Sequence, residues 1–179
     1  MKKTHTITVA GLTRELPLCA VDDTLDIAAF VMFSDVELTV ACAKALLEIV
    51  PEFDVILTAA TKGIPIGYEV SRQSGRQYVV AKKSVKVYMT DPISVDVKSI
   101  TTAGVQKLYL SAEDIEWIKG KKVLILDDVI STGASLAALK ELAAAAGGIV
   151  TCCAAVLAEG DAAERDDIVF LEKLPVFPK

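Results

Sequence analysis

Residues 123–135 read Val-Leu-Ile-Leu-Asp-Asp-Val-Ile-Ser-Thr-Gly-Ala-Ser, and this run limits what the chain can fold into more than any other. Val123 to Leu126 is an apolar run too short for a helix and preceded by Gly120 and two lysines, so it predicts a strand buried on both faces. Asp127 and Asp128 follow it. After one apolar pair come Ser131, Thr132, Gly133, Ala134 and Ser135, at the head of an Ala/Leu-rich helical stretch that continues to Ala146. Small residues let the backbone approach an anion, a helix N-terminus aims unpaired N–H groups at it, and hydroxyls add donors. Two carboxylates at the strand's end can accept from sugar hydroxyls or hold hydrated Mg²⁺. An ordinary βα turn with a capping Asp or Ser would use the same residue types. A Walker-type loop is excluded, because G-x-x-x-x-G-K-[ST] does not occur.

The rest of the chain repeats this alternation. Val36, Val40, Ala43, Leu47 and Val50 predict one face of a helix that starts at Asp35 and stops at Pro51. Phe53 to Leu57 predicts a second buried strand. It leads into the small polar loop 58–63, with Thr61, Lys62 and Gly63, and a helix over 64–74. Gln77 to Ala81 is the next strand, followed by Lys82, Lys83 and Lys86, a basic cluster suited to an anionic ligand or to plain solvation. Lys82 lies closest to the strand end. Residues 89–110 are long for a connection, and their alternating segments 93–100 and 105–110 predict a mobile two-stranded arm. Ser111 and Asp114 have capping-box spacing for a helix to Lys119, with Trp117 in the core or at a subunit contact. Ile149 to Leu157 predicts another buried strand with Glu159 at its carboxyl edge, and 167–177 a final strand and tail. Residues 1–33 show only a weak strand alternation at Thr6 to Val9 and a break at Leu16-Pro17.

These elements predict one α/β domain with a mainly parallel sheet and helices on both faces. A net charge of −5 argues against nucleic acid as the main partner, because phosphate neutralisation needs a basic face. Cys19, Cys42, Cys152 and Cys153 lack metal-ligand spacing, and Cys152 and Cys153 read as buried free thiols. No apolar run approaches a membrane span and Met1 to Ala10 is polar, so a cytoplasmic protein is expected, with no membrane partner.

The run 123–135 resembles, at all thirteen positions, the phosphoribosyl pyrophosphate (PRPP) signature of the type I phosphoribosyltransferases. The resemblance implies that Ser131 to Ser135 bind the 5′-phosphate and that Asp127 and Asp128 face the ribose hydroxyls and hold Mg²⁺ through water. It assigns Thr61, Lys62 and Gly63, with Lys82 and Lys83, to pyrophosphate. Ala60 to Pro65 is similar to the purine-repressor and xanthine branch; adenine phosphoribosyltransferases have Asp-Ser-Arg-Gly there, from which Ala60 and Lys62 depart. Pro17, Asp26-Ile27 and Ala28 to Phe33 loosely resemble the small hood that grips the base, which makes Asp26, Ile27 and Glu159 the base-contact candidates. Residues 89–110 match the family's flexible lid. Adenine enzymes carry a Tyr and a Glu in that lid, whereas Thr101 and Thr102 stand at the matching places here. The expectation is a purine phosphoribosyltransferase, adenine phosphoribosyltransferase-like, using PRPP and a purine base, with Mg²⁺, as a homodimer. The alternative is a non-catalytic PRPP-sensing module with the same fold.

Overall fold

A computed structural model describes residues 3–97 and 106–179. In chain order its elements are β1 (Thr4–Val9), β2 (Leu12–Ala20), β3 (Leu25–Ala28), α1 (Val36–Ile49), β4 (Val55–Ala59), α2 (Ile64–Ser74), β5 (Gln77–Ala81), β6 (Ile93–Val97) and β7 (Gln106–Leu110). There follow α3 (Ala112–Ile118), β8 (Lys122–Ile130), α4 (Ala134–Ala145), β9 (Ile149–Glu159), a 3-10 turn at Gly160–Glu164, β10 (Val169–Leu174) and β11 (Val176–Pro178).

The central sheet is parallel throughout, in the order β10-β9-β8-β4-β5. Every residue of β4 is buried, as are Val123 to Leu126 of β8, which is why these strands read as unbroken apolar runs. Val55, Leu57, Val123 and Ile125 pack with α3, α4 and the β6–β7 arm; Ile56, Leu124 and Leu126 pack on the other face with α1, α2 and the N-terminal strands. From β4 the chain crosses to β5 on one side, and from β8 it crosses to β9 on the other. The carboxyl ends of β4 and β8 therefore flank a topological switch point, where open α/β sheets leave a crevice.

The segment that the sequence left unreadable is a second, antiparallel sheet in the order β1-β2-β3-β11. Ala10 and Gly11 both take positive φ, 50° and 77°, the geometry of a two-residue hairpin turn whose twist suits the flanking strands. Pro17 does not break the chain; it lies inside β2 opposite Thr4, and its carbonyl accepts from the Ala29 amide. The tail is two strands rather than one, since β10 closes the parallel sheet and β11 turns away to pair Val176 with Ile27.

The buried stripe of α1 is Leu38, Thr39, Cys42, Ala43 and Leu46, a different phase from the expected one, and Val36 is 72% exposed. Its start is pinned by Asp35, which accepts from the Leu38 amide and pairs with Arg14 of β2 at 2.7 Å. Ser111 and Asp114 form the expected capping box of α3. Trp117 is 48% exposed, so it is not a core residue. Cys152 is half-buried and Cys153 buried, both as free thiols, with burial pushing the Cys153 thiol up to about 11. No described helix is long and apolar enough to cross a membrane.

Candidate active site

Strand β8 runs four residues beyond its apolar core and carries Asp127 and Asp128 to the mouth of the crevice. Both carboxylates reach the crevice. Asp128 is 2% exposed, and its Oδ2 has no hydrogen-bond partner among the described residues. Asp127 Oδ1 accepts from the Asp128 amide at 2.9 Å. Burial, then the adjacent Asp128 charge, raises the Asp127 carboxyl to about 7, with Lys62 acting in the opposite direction.

Beyond β8, Ser131 and Thr132 are exposed, Gly133 adopts φ 79° as N-cap of α4, and the chain enters that helix at Ala134. Residues 131–136 line a small cleft together with Asp127, Val129 and Ile130. The left-handed geometry at 133 suits glycine, and the first turn of α4, which leaves its leading amides unpaired within the helix, borders the cleft.

The second loop reaches the same place from β4. Lys62 Nζ stands 3.4 Å from Asp128 Oδ2 while the lysine side chain remains 54% exposed. Gly63 is buried between the loops: a Cβ there would collide with the Thr58 hydroxyl and stand 2.8 Å from Asp127 Oδ1. Thr58 is wholly buried and its Oγ1 unpartnered among the described residues. Nothing in the apolar pattern of β4 marks this threonine, so sequence reasoning passed it over.

Between the loops lies a cavity of about 180 Å³ lined by Thr61, Lys62, Lys83, Asp127, Asp128 and Ser135, among others. Val97, Gln106 and Leu108 at the base of the β6–β7 arm also border it. The arm's base is thus a packed wall; Thr101 and Thr102 lie outside the described residues. Lys83, not Lys82, borders the cavity. Lys82 Nζ bonds Asp114 Oδ2 at 2.6 Å, and its backbone pairs with Tyr109, so this lysine fastens the arm and α3 to the sheet edge.

An adjoining cavity of about 270 Å³ runs under the N-terminal sheet, bounded by Ile27 to Val31, Val129, Leu174, Ser131, Lys62 and Glu159. Its walls are mostly apolar. Glu159 at the end of β9 is half-buried, which raises its carboxyl, and Lys62 partly offsets this. Ile27 borders this cavity but Asp26 does not: Asp26 Oδ1 pairs with Lys179 at 3.0 Å in the β3–β11 seam. Alternation along β3 sends the two side chains to opposite faces.

Two adjacent carboxylates, one with a buried oxygen that has no hydrogen-bond partner among the described residues, suit a hard cation that keeps most of its waters. No cluster of three or more His, Cys, Asp or Glu occurs among the described residues, so any ion would be completed by water and substrate oxygens.

Residues 37–177 match the family model described as the phosphoribosyl transferase domain. The chain is 31% identical over 85 residues to the purine biosynthesis transcriptional repressor PurR of Bacillus subtilis, covering 48% of this chain and 29% of the repressor. It is 38% identical over 88 residues to the hypoxanthine/guanine phosphoribosyltransferase of Methanothermococcus okinawensis, covering 49% of this chain and 44% of that protein. The matched stretch is thus less than half the length of these relatives. In three dimensions the chain is similar to adenine phosphoribosyltransferase from Thermoanaerobacter pseudethanolicus, with a TM-score of 0.67 and 21% identity over 79% of this chain and 84% of that one. It is also similar to the Giardia lamblia enzyme complexed with 9-deazaadenine, with a TM-score of 0.63 and 18% identity over 95% and 93% of the two chains.

Proposed function

We propose that this chain, which belongs to the phosphoribosyl transferase domain family, is a purine phosphoribosyltransferase that moves ribose 5-phosphate from PRPP to a purine nitrogen and releases pyrophosphate. The observation that carries this reading is the convergence of the Asp127–Asp128 end of β8 and the Lys62 loop of β4 on one crevice at the sheet's switch point.

Each part of the crevice then has a task. Ser131 to Ser135 hold the 5′-phosphate against the N-terminus of α4. Asp127 and Asp128 accept from the ribose hydroxyls. Thr61, Lys62, Gly63 and Lys83 receive the pyrophosphate, whose negative charge grows as the bond from ribose C1 lengthens. Positive charge develops on the ribose ring at the same time, close to the two carboxylates. Mg²⁺ would be held by Asp127 and Asp128 through water and would neutralise pyrophosphate charge. The apolar cavity under the N-terminal sheet holds the base in line with C1, with Ile27 on its wall and Glu159 at its rim. The arm base formed by Val97, Gln106 and Leu108 shields the reacting centre from water.

The second reading is a PRPP-sensing module without turnover, favoured by the similarity to a transcriptional repressor. An assay of pyrophosphate release with PRPP, Mg²⁺ and each of adenine, guanine, hypoxanthine and xanthine separates the two. Turnover is expected with at least one base. PRPP binding with no turnover on any base would establish the sensor instead.

A further inference from the structure

The geometry points to Arg165 as a positioning residue for the 5′-phosphate, an assignment that rests on reading residues 131–135 as the phosphate loop. Arg165 follows the 3-10 turn after β9, thirty residues from that loop, and no motif marks it. The fold nevertheless lays its guanidinium against Gly133: a Cβ built there would stand 2.5 Å from Arg165 Nη1. Any side chain at 133 would displace the cation, a demand on glycine separate from its φ of 79°.

The guanidinium is also aimed. Its Nε and Nη2 make a two-pronged contact with Asp167, at 2.8 Å each, and Asp167 Oδ2 accepts from Lys140 Nζ of α4 at 2.9 Å. The strap from α4 through Lys140 and Asp167 to Arg165 thus fixes the fork in a known orientation. Nη1 is the nitrogen left over, with no acceptor among the described residues, and it is the one beside the loop. Two cations and one carboxylate leave these three groups with one net positive charge beside Gly133 of the loop. Asp167 therefore orients Arg165 without cancelling the cluster's charge.

Arg165 stands beside Gly133, behind the residues that line the phosphate cleft, and does not border the pyrophosphate side, where Lys62 and Lys83 lie. The test is calorimetric titration of wild type, Arg165→Gln and Arg165→Lys with ribose 5-phosphate and, separately, with Mg²⁺-pyrophosphate. Removing a charged hydrogen bond should weaken ribose 5-phosphate binding about tenfold or more in Arg165→Gln, with partial recovery in Arg165→Lys. Pyrophosphate affinity should stay within about twofold in both variants. Unchanged ribose 5-phosphate affinity in Arg165→Gln would overturn the assignment, as would an equal loss for both ligands, which marks a structural role. A wild-type protein that binds pyrophosphate but not ribose 5-phosphate would overturn the phosphate-loop reading itself, and this assignment with it.

Discussion

Lys62 Nζ lies 3.4 Å from the buried Oδ2 of Asp128, so the cation of one loop meets the carboxylate of the other across the crevice. This pair joins two loops that are separated in the sequence by more than sixty residues. It also makes a prediction about which property Lys62 serves. Because its partner carboxylate is buried, Lys62→Met should lower stability by about 1 kcal/mol or more. Its loss should weaken Mg²⁺-pyrophosphate and PRPP binding by about tenfold or more, read by calorimetry. Unaltered affinity for both ligands would reduce Lys62 to a surface residue.

Gly63 fills a position that has no room for a side chain. Gly63→Ala drives a methyl into the Thr58 hydroxyl and against Asp127 Oδ1, an overpacking expected to cost about 1–3 kcal/mol. Thermal melting should show the loss, and adding Thr58→Ala should recover part of it. Full stability in Gly63→Ala would mean that the loop shifts freely and that its register against β8 is not fixed.

Much of the fold was legible because parallel strands buried on both faces read as short apolar runs, as Phe53 to Leu57 and Val123 to Leu126 do. Helix α2 could be bounded at Ile64 and Ser74, and the structure ends it at Gly75. The phase of α1 could not, because Val-Glu-Leu-Thr-Val-Ala-Cys-Ala-Lys-Ala-Leu-Leu-Glu-Ile is apolar around most of its circumference. The N-terminal sheet was hidden for another reason: β3 owes one edge to β11, about 150 residues away, and no local pattern reports such a partner. Long-range partners also explain why Lys82 and Asp26 do not border the cavities. Lys82 is claimed by Asp114 and Asp26 by Lys179, neither of which is a near neighbour in sequence. The Asp127–Ser135 run was legible because its chemistry is local, one strand end and one helix start.

The pH dependence of the ligand-free protein should carry the mark of Asp127. Its carboxyl is raised in the folded state to about 7, from an ordinary value near 3.8, chiefly by burial. Between these values the unfolded chain has released the proton and the folded chain retains it, so stability from this group is full at low pH and falls as pH rises toward 7. Other carboxylates act oppositely; Arg165 and Lys140 hold Asp167 well below the usual carboxylate range. The difference between wild type and Asp127→Asn isolates the effect. Wild type should lose stability relative to the variant from about pH 4 to pH 7, with no further divergence above. Parallel stability curves across that range would show that Asp127 titrates as an ordinary carboxylate.

Ser131 and Thr132 are exposed, so changing both to glutamate should leave the melting temperature within a few degrees of wild type. The same change places like charge and bulk in the loop and should abolish PRPP binding. Wild-type affinity in the double variant would remove the phosphate-loop assignment.

The central claim is that the paired carboxylates of β8 exist to meet PRPP and Mg²⁺, and Asp128→Asn tests it most directly. Asp128 is buried, its Oδ2 has no hydrogen-bond partner among the described residues and only Lys62 at 3.4 Å, and it sits beside another carboxylate, an arrangement that costs stability until further cations or hydroxyl donors arrive. Melting temperatures are to be measured for wild type and Asp128→Asn, each with and without PRPP and Mg²⁺. The account predicts that the ligand-free variant melts at or above wild type, while its ligand-induced shift shrinks because the ligand binds the folded state less tightly. A variant that melts lower without ligand, yet keeps the full ligand-induced shift, would make Asp128 a scaffold residue and contradict the account.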